Sequence, residues 1–151
     1  MKYKIKKFIL NSRRLLIVTV HFFLIVLSYF FAFLIRFDFS FPHEVLPVVL
    51  KTLPLLIIIK LTVLYYFGLF HGLWRYVGLS DFIQIIKASV IATVIFIIAD
   101  FFIDGKYIIP KSVVLIDLLF FIFLACGLRL LTRLIREKYG KDYLRGSIKY
   151  S

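Results

Sequence analysis

The stretch Leu15–Ile35, LLIVTVHFFLIVLSYFFAFLI, runs for 21 residues without an Asp, Glu, Lys or Arg. At about 1.5 Å per residue a helix of that length reaches roughly 30 Å, the thickness of a bilayer's hydrocarbon core. His21 is the one residue in it that can carry a positive charge. The basic residues ahead of it (Lys2, Lys4, Lys6, Lys7, Arg13, Arg14) resemble the start of a signal peptide. The apolar run exceeds the usual h-region of about 7–15 residues, however, and has no A-x-A-like exit, so it reads as an uncleaved signal anchor.

Outward from this span the same pattern recurs. Arg36–Glu44 supplies charges, Ser40 and Pro42, which end a helix and make a short loop. A second span is expected over about 46–67, with Pro47 in its first turn and Pro54 inside, where a membrane helix kinks but survives. Gly68–Asp81 is rich in aromatics and glycines and reads as an interfacial loop at headgroup level. A third span over about 82–103 follows, then a turn around Asp104, Gly105, Lys106 and Pro110, and a fourth span over about 112–131. No repeated ten-residue alternation of the kind a membrane barrel needs is visible. The expected fold is therefore all-α: a basic N-terminus (1–14), a four-helix membrane domain (15–136) and a polar linker (137–151) leading towards an absent soluble domain.

Composition supports that class. Of the 151 residues 62% are hydrophobic, with 18 Phe and 9 Tyr, and the mean hydropathy is +0.99, against about 45–50% apolar usage in soluble domains. A single small core cannot hide so much apolar surface, whereas lipid accepts it on every side of a helix. The net charge of +12 is not a nucleic-acid signature. The basic residues crowd the two ends, with Arg129, Arg133, Arg136, Lys138, Lys141, Arg145 and Lys149 closing the chain, a juxtamembrane pattern that suits anionic headgroups. By the positive-inside tendency both termini are expected in the cytoplasm. Cys126 stands alone in an apolar run, which rules out an internal disulfide.

Charged residues inside spans cost about 2.5–3.5 kcal/mol each on insertion scales, so each needs an account. Lys87 lies about one turn into span three and can snorkel. Lys51 sits near the opposite surface, where Asp100 and Asp117 also lie, so an intramembrane ion pair of Lys51 with either carboxylate is expected. Lys60 falls near mid-span, about 180° from Lys51 around the helix, and has no evident partner. His21 is the group on span one that could approach it, and its ordinary reading is a neutral histidine bonded to a neighbouring helix. Arg129, Arg133 and Arg136 share one face of an amphipathic exit from the bilayer. Trp74, Arg75 and Tyr76 form a candidate interfacial contact with a lipid phosphate or sugar nucleotide, although an aromatic belt explains them as well. No catalytic, cofactor-binding or metal-ligating motif is visible: there is no G-x-G-x-x-G, phosphate loop or zinc pattern.

Four stretches carry a family resemblance: RFDFSFP (Arg36–Pro42), FGLFHGLWRYVGLSD (Phe67–Asp81), IPKSVVLIDLLF (Ile109–Phe120) and GLRLLTRLIRE (Gly127–Glu137). In this order they resemble the N-terminal membrane domain of the membrane-bound nucleoside-diphosphate-sugar 4,6-dehydratases and epimerases of bacterial polysaccharide biosynthesis. His71 departs from the family's usual Arg. The resemblance implies an inner-membrane anchor for an enzyme of capsule or O-antigen synthesis, with NAD(P) bound only by a catalytic domain that these residues do not contain. Two other readings stay open: the membrane region of a polyprenyl-phosphate sugar-1-phosphate transferase, and a stand-alone four-helix carrier or flippase subunit. A homo-oligomer also stays open.

Overall fold

The computed structural model describes residues 2–40, 42–70, 78–104 and 109–148, and all regular structure among them is helical. The four helices are α1 (Lys2–Arg36), α2 (Val45–Tyr66), α3 (Leu79–Asp104) and α4 (Lys111–Ile148). Each contains a segment long and apolar enough to cross a membrane: Leu15–Arg36, Val45–Tyr66, Leu79–Ile103 and Lys111–Ile135. Only 28% to 33% of the residues in these segments are buried inside the bundle. The outward surface is lined by Leu, Ile, Val and Phe, among them Phe23, Ile58, Phe102 and Phe123. Water would not tolerate that much apolar surface, so the chain is a multi-pass membrane protein.

The expected spans agree with these segments to within a few residues, but α4 does not end at 136, the expected limit of the membrane domain. It runs unbroken to Ile148, so the segment from Glu137, expected as a linker, is helical over its described length. Its Lys, Arg, Glu, Leu and Tyr residues sustain a helix, and Gly140 and Gly146 weaken it by only about 1 kcal/mol each. The basic N-terminal stretch is helical too, from Lys2 onward.

Short connections make the bundle antiparallel. Eight residues join α1 to α2 and six join α3 to α4, too few to run back along a 30 Å helix. Left-handed backbone stops the first two helices. At the end of α1, Asp38 and Phe39 both have positive φ (50° and 59°), and the Phe39 amide donates to Leu34 C=O at 2.8 Å. At the end of α2, Gly68 (φ 69°) lets the Leu69 amide reach Leu64 C=O at 3.1 Å and its own amide reach Tyr65 C=O at 2.9 Å. This is a Schellman stop, with Leu64 and Leu69 both buried behind it.

Around the bundle α1 packs on α2 and α4, and α3 packs on α2 and α4, while the diagonal pairs do not approach closely among the described residues. Small side chains at the contacts (Ala32, Ala88, Ala92, Ala125, all buried) allow helix axes to come close where no hydrophobic effect drives them together. One end of the bundle carries the α1–α2 and α3–α4 connections, called the connection end below. The other carries the α2–α3 connection.

Candidate functional site

Many polar residues of the spans turn inward, although Lys51, Thr62, Gln84 and Lys87 are exposed. His21, Ser28, Thr52, Lys60, Ser89, Thr93, Asp100, Asp117 and Arg129 are all buried, because in lipid the bundle interior is the one place where polar groups find partners. Their centre is Asp117 on α4. Lys60 on α2 donates from Nζ to Asp117 Oδ2 at 2.6 Å, and Ser28 on α1 donates from Oγ to Asp117 Oδ1 at 2.7 Å. The two charged side chains are 1% and 3% exposed, which makes this a fully desolvated pair. The Phe121 ring, one turn along α4, lies 4.5 Å from Lys60 Nζ and gives the ammonium an aromatic face. Three helices are thus tied at one carboxylate, and the pair spans the α2–α4 diagonal.

This arrangement corrects the expected pairing of Lys51 with Asp117. The carboxylate of Asp117 is held by Lys60 and Ser28, while Lys51, half a turn away around α2, is exposed. By Cα position along the helices Lys60 lies deeper than Asp117. Side chains on a helix lean towards its N-terminus, and the N-termini of α2 and α4 lie at the same end of the bundle. Lys60 therefore extends its full length in Asp117's direction. The other candidate carboxylate, Asp100, is buried on α3.

Just towards the connection end, Tyr29 Oη and Thr52 Oγ1 are 2.7 Å apart. Thr52 gives its single hydroxyl proton to Val48 C=O at 2.7 Å, so Tyr29 is the donor between them. The Tyr29 ring packs edge-on to Phe33 at 5.0 Å and to Phe96 of α3 at 6.4 Å, which crosses the second diagonal.

Arg129 anchors the opposite end. Its Nη2 donates to Leu69 C=O at 3.2 Å and its Nη1 lies 3.9 Å from Asp81 Oδ2, while its Nε has no hydrogen-bond partner. Arg129 therefore does not share the outer face expected for it. Arg133 does, exposed and bonded to Glu137 at 2.9 Å. His21 donates from Nδ1 to Ile17 C=O of its own helix at 2.8 Å, not to a neighbouring helix. Its ring meets Phe70 edge-on at 5.3 Å. Trp74, Arg75 and Tyr76 lie outside the described residues.

Sequence reasoning missed Ser28, Tyr29, Thr52 and the inward role of Arg129. A signal was present for the last: Val113, Asp117, Phe121, Ala125 and Arg129 recur every four residues and are all buried. The aspartate marks that row as interior. What the cluster can do chemically is hold a charge pair dry and tie helices. No family model matches the chain, and no curated protein or solved structure shows significant similarity to it.

Proposed function

We propose that the chain anchors a sugar-nucleotide enzyme of polysaccharide biosynthesis, of the 4,6-dehydratase or epimerase type, in the bacterial inner membrane. Both termini face the cytoplasm in this reading, and the NAD(P)-dependent chemistry belongs to a separate catalytic domain. The observation that carries it is where the four family-like stretches fall in the bundle. Leu69 and Asp81, from Phe67–Asp81, are the partners of Arg129, from Gly127–Glu137. Asp117, from Ile109–Phe120, is the centre of the buried charge pair. Asp38 and Phe39, from Arg36–Pro42, make the left-handed turn after α1. The resembling residues are thus those that hold the bundle's turns and polar ties, as an anchor domain requires.

The test is a domain exchange. In a bacterium that has lost its surface polysaccharide because its membrane-bound dehydratase lacks the membrane domain, this chain is fused ahead of the remaining catalytic domain. Restored polymer is expected, with a single unrelated membrane helix restoring less. Equal restoration by the unrelated helix sinks the specific reading. Restoration only when the chain is fused to a sugar-1-phosphate transferase's catalytic region would favour that class instead. Reporters placed at Gly78 and after Ser151 are expected to read cytoplasmic.

A further inference from the structure

The lipid-facing surface of α3 differs from those of the other helices. Between residues 83 and 98 its exposed side chains are all Ile or Val, apart from Gln84 and Lys87. The exposed surfaces of α1, α2 and α4 carry Leu and Phe instead, among them Phe23, Leu50, Leu119 and Phe123. In lipid the difference matters. Helices there are drawn together by van der Waals contact and hydrogen bonds, since the surrounding chains are as apolar as the side chains. A β-branched side chain in a helix already holds few χ1 rotamers, so it has little freedom left to lose when another surface packs against it.

Gln84 adds a chemical requirement. It lies five residues into the segment Leu79–Ile103, roughly 8 Å below the surface. Thr19 and Thr62, which are also exposed, give their protons to carbonyls of their own helices at 2.9 Å and 2.7 Å. Gln84 has no such bond among the described residues. Its carboxamide offers two donors and an oxygen with two lone pairs, none of which hydrocarbon can satisfy. Its place on the helix is also regular. Gln84, Lys87, Ile91, Val94 and Ile98 follow one another in alternating steps of three and four residues, and all five are exposed. That spacing is the a and d pattern of a helix–helix seam.

We propose that the protein forms a homodimer in which α3 of one copy packs in parallel against α3 of a second copy along this seam. Two copies inserted in the same orientation are related by a two-fold axis along the membrane normal, so the surface between them must be complementary to itself. A carboxamide near the axis meets that condition, because each Gln84 can donate to the oxygen of the other. A lone polar residue at an a position also fixes the register of such a seam. Lys87 is not trapped in it: its stem leans towards the N-terminus of α3 and carries the ammonium out towards the headgroups. Ile91, Val94 and Ile98 supply the apolar length. The dimer does not rest on the anchor reading, since it needs only the outer face of α3.

The experiment reconstitutes the whole chain at low density in vesicles of phosphatidylethanolamine and phosphatidylglycerol and counts copies per particle by single-molecule photobleaching. Two are expected. In a Cys126→Ser background, Ile91→Cys and Ile98→Cys should form disulfide-linked dimers on oxidation with copper phenanthroline. Two controls should not: Ile86→Cys, exposed on α3 but about 140° around the helix from Ile91, and Phe123→Cys, exposed on α4 and, like Ile91, twelve residues into its segment. Gln84→Leu should weaken dimerisation roughly tenfold, the scale of an interhelical hydrogen bond in a membrane, with helicity unchanged because the residue is exposed. A chain that stays monomeric, leaving the face to lipid or to an unrelated helix, would overturn the proposal. So would particles of more than two copies, linkage as efficient in Ile86→Cys or Phe123→Cys as in Ile91→Cys, or dimerisation unaffected by Gln84→Leu.

Discussion

Asp117 and Arg129 are two buried charges on the same face of α4, three turns apart, and they are satisfied very differently. Asp117 lies six residues in from Lys111, where the fourth membrane segment begins, and Arg129 six residues in from Ile135, where it ends. Each is roughly 9 Å below its own surface. Asp117 nevertheless has two bonds of 2.7 Å or less, while Arg129 has one at 3.2 Å, a loose approach to Asp81 and an unpartnered Nε. Depth alone does not decide how completely a charge must be paired. Reach does: a carboxylate on a short stem cannot climb to water, whereas a guanidinium at the same depth has a long stem and connection residues close by.

The contrast breaks first at Asp117. Asp117→Ala leaves the Lys60 ammonium buried without its counter-charge and should cost about 3–5 kcal/mol, read as loss of thermal stability in nanodiscs. The combined Lys60→Leu and Asp117→Leu variant should recover most of that loss. If the single variant costs less than about 1 kcal/mol, the pair is hydrated and the picture of a dry core fails. Arg129→Ala should cost less, about 1–3 kcal/mol, because its bonds are fewer and longer. A loss equal to that of Asp117→Ala would mean that depth matters more than reach after all.

A smaller effect separates the two partners of Asp117. Ser28→Ala removes one hydrogen bond and should cost about 1–2 kcal/mol, with no effect in a background where Asp117 is already Leu. Smaller still is the coupling between Lys51 and Asp117. With Lys60 seated on the carboxylate, a double-mutant cycle should return no more than about 0.3–0.5 kcal/mol, the usual error of additivity. Stronger coupling would restore the pairing first expected from depth. At the α1–α2 turn, Phe39→Gly should stabilise slightly, by up to about 1 kcal/mol, since a bulky residue at φ 59° carries strain that glycine does not.

The four spans were legible because unbroken apolar length is a signal that survives without knowledge of packing. Which side of each helix faces inward was not legible from hydrophobicity, since α2 and α3 are apolar all round and show little amphipathic contrast. The polar minority held that information instead. Ser28, Thr52, Lys60, Asp117 and Arg129 all point inward, the reverse of their tendency in water. The pairing of Lys60 with Asp117 depended on the direction in which side chains lean and on a reach of several ångströms, neither of which a count along the chain includes. The helical course of α4 beyond Ile135 was obscured by Gly140 and Gly146, which suggest a break that the surrounding helix formers override.

Seen from above, four helices joined only to their neighbours form a four-sided frame, and such a frame can shear into a flattened shape without stretching any side. One rigid diagonal removes that freedom. Here the Lys60–Asp117 pair braces α2 to α4, and the edge contact of Tyr29 with Phe96 braces α1 to α3 nearby. A bundle cross-braced in this way holds its outline against lateral pressure from the bilayer. The rocking of one helix pair against the other, which a carrier needs to open to each side in turn, would have to pull a desolvated ion pair apart in every cycle.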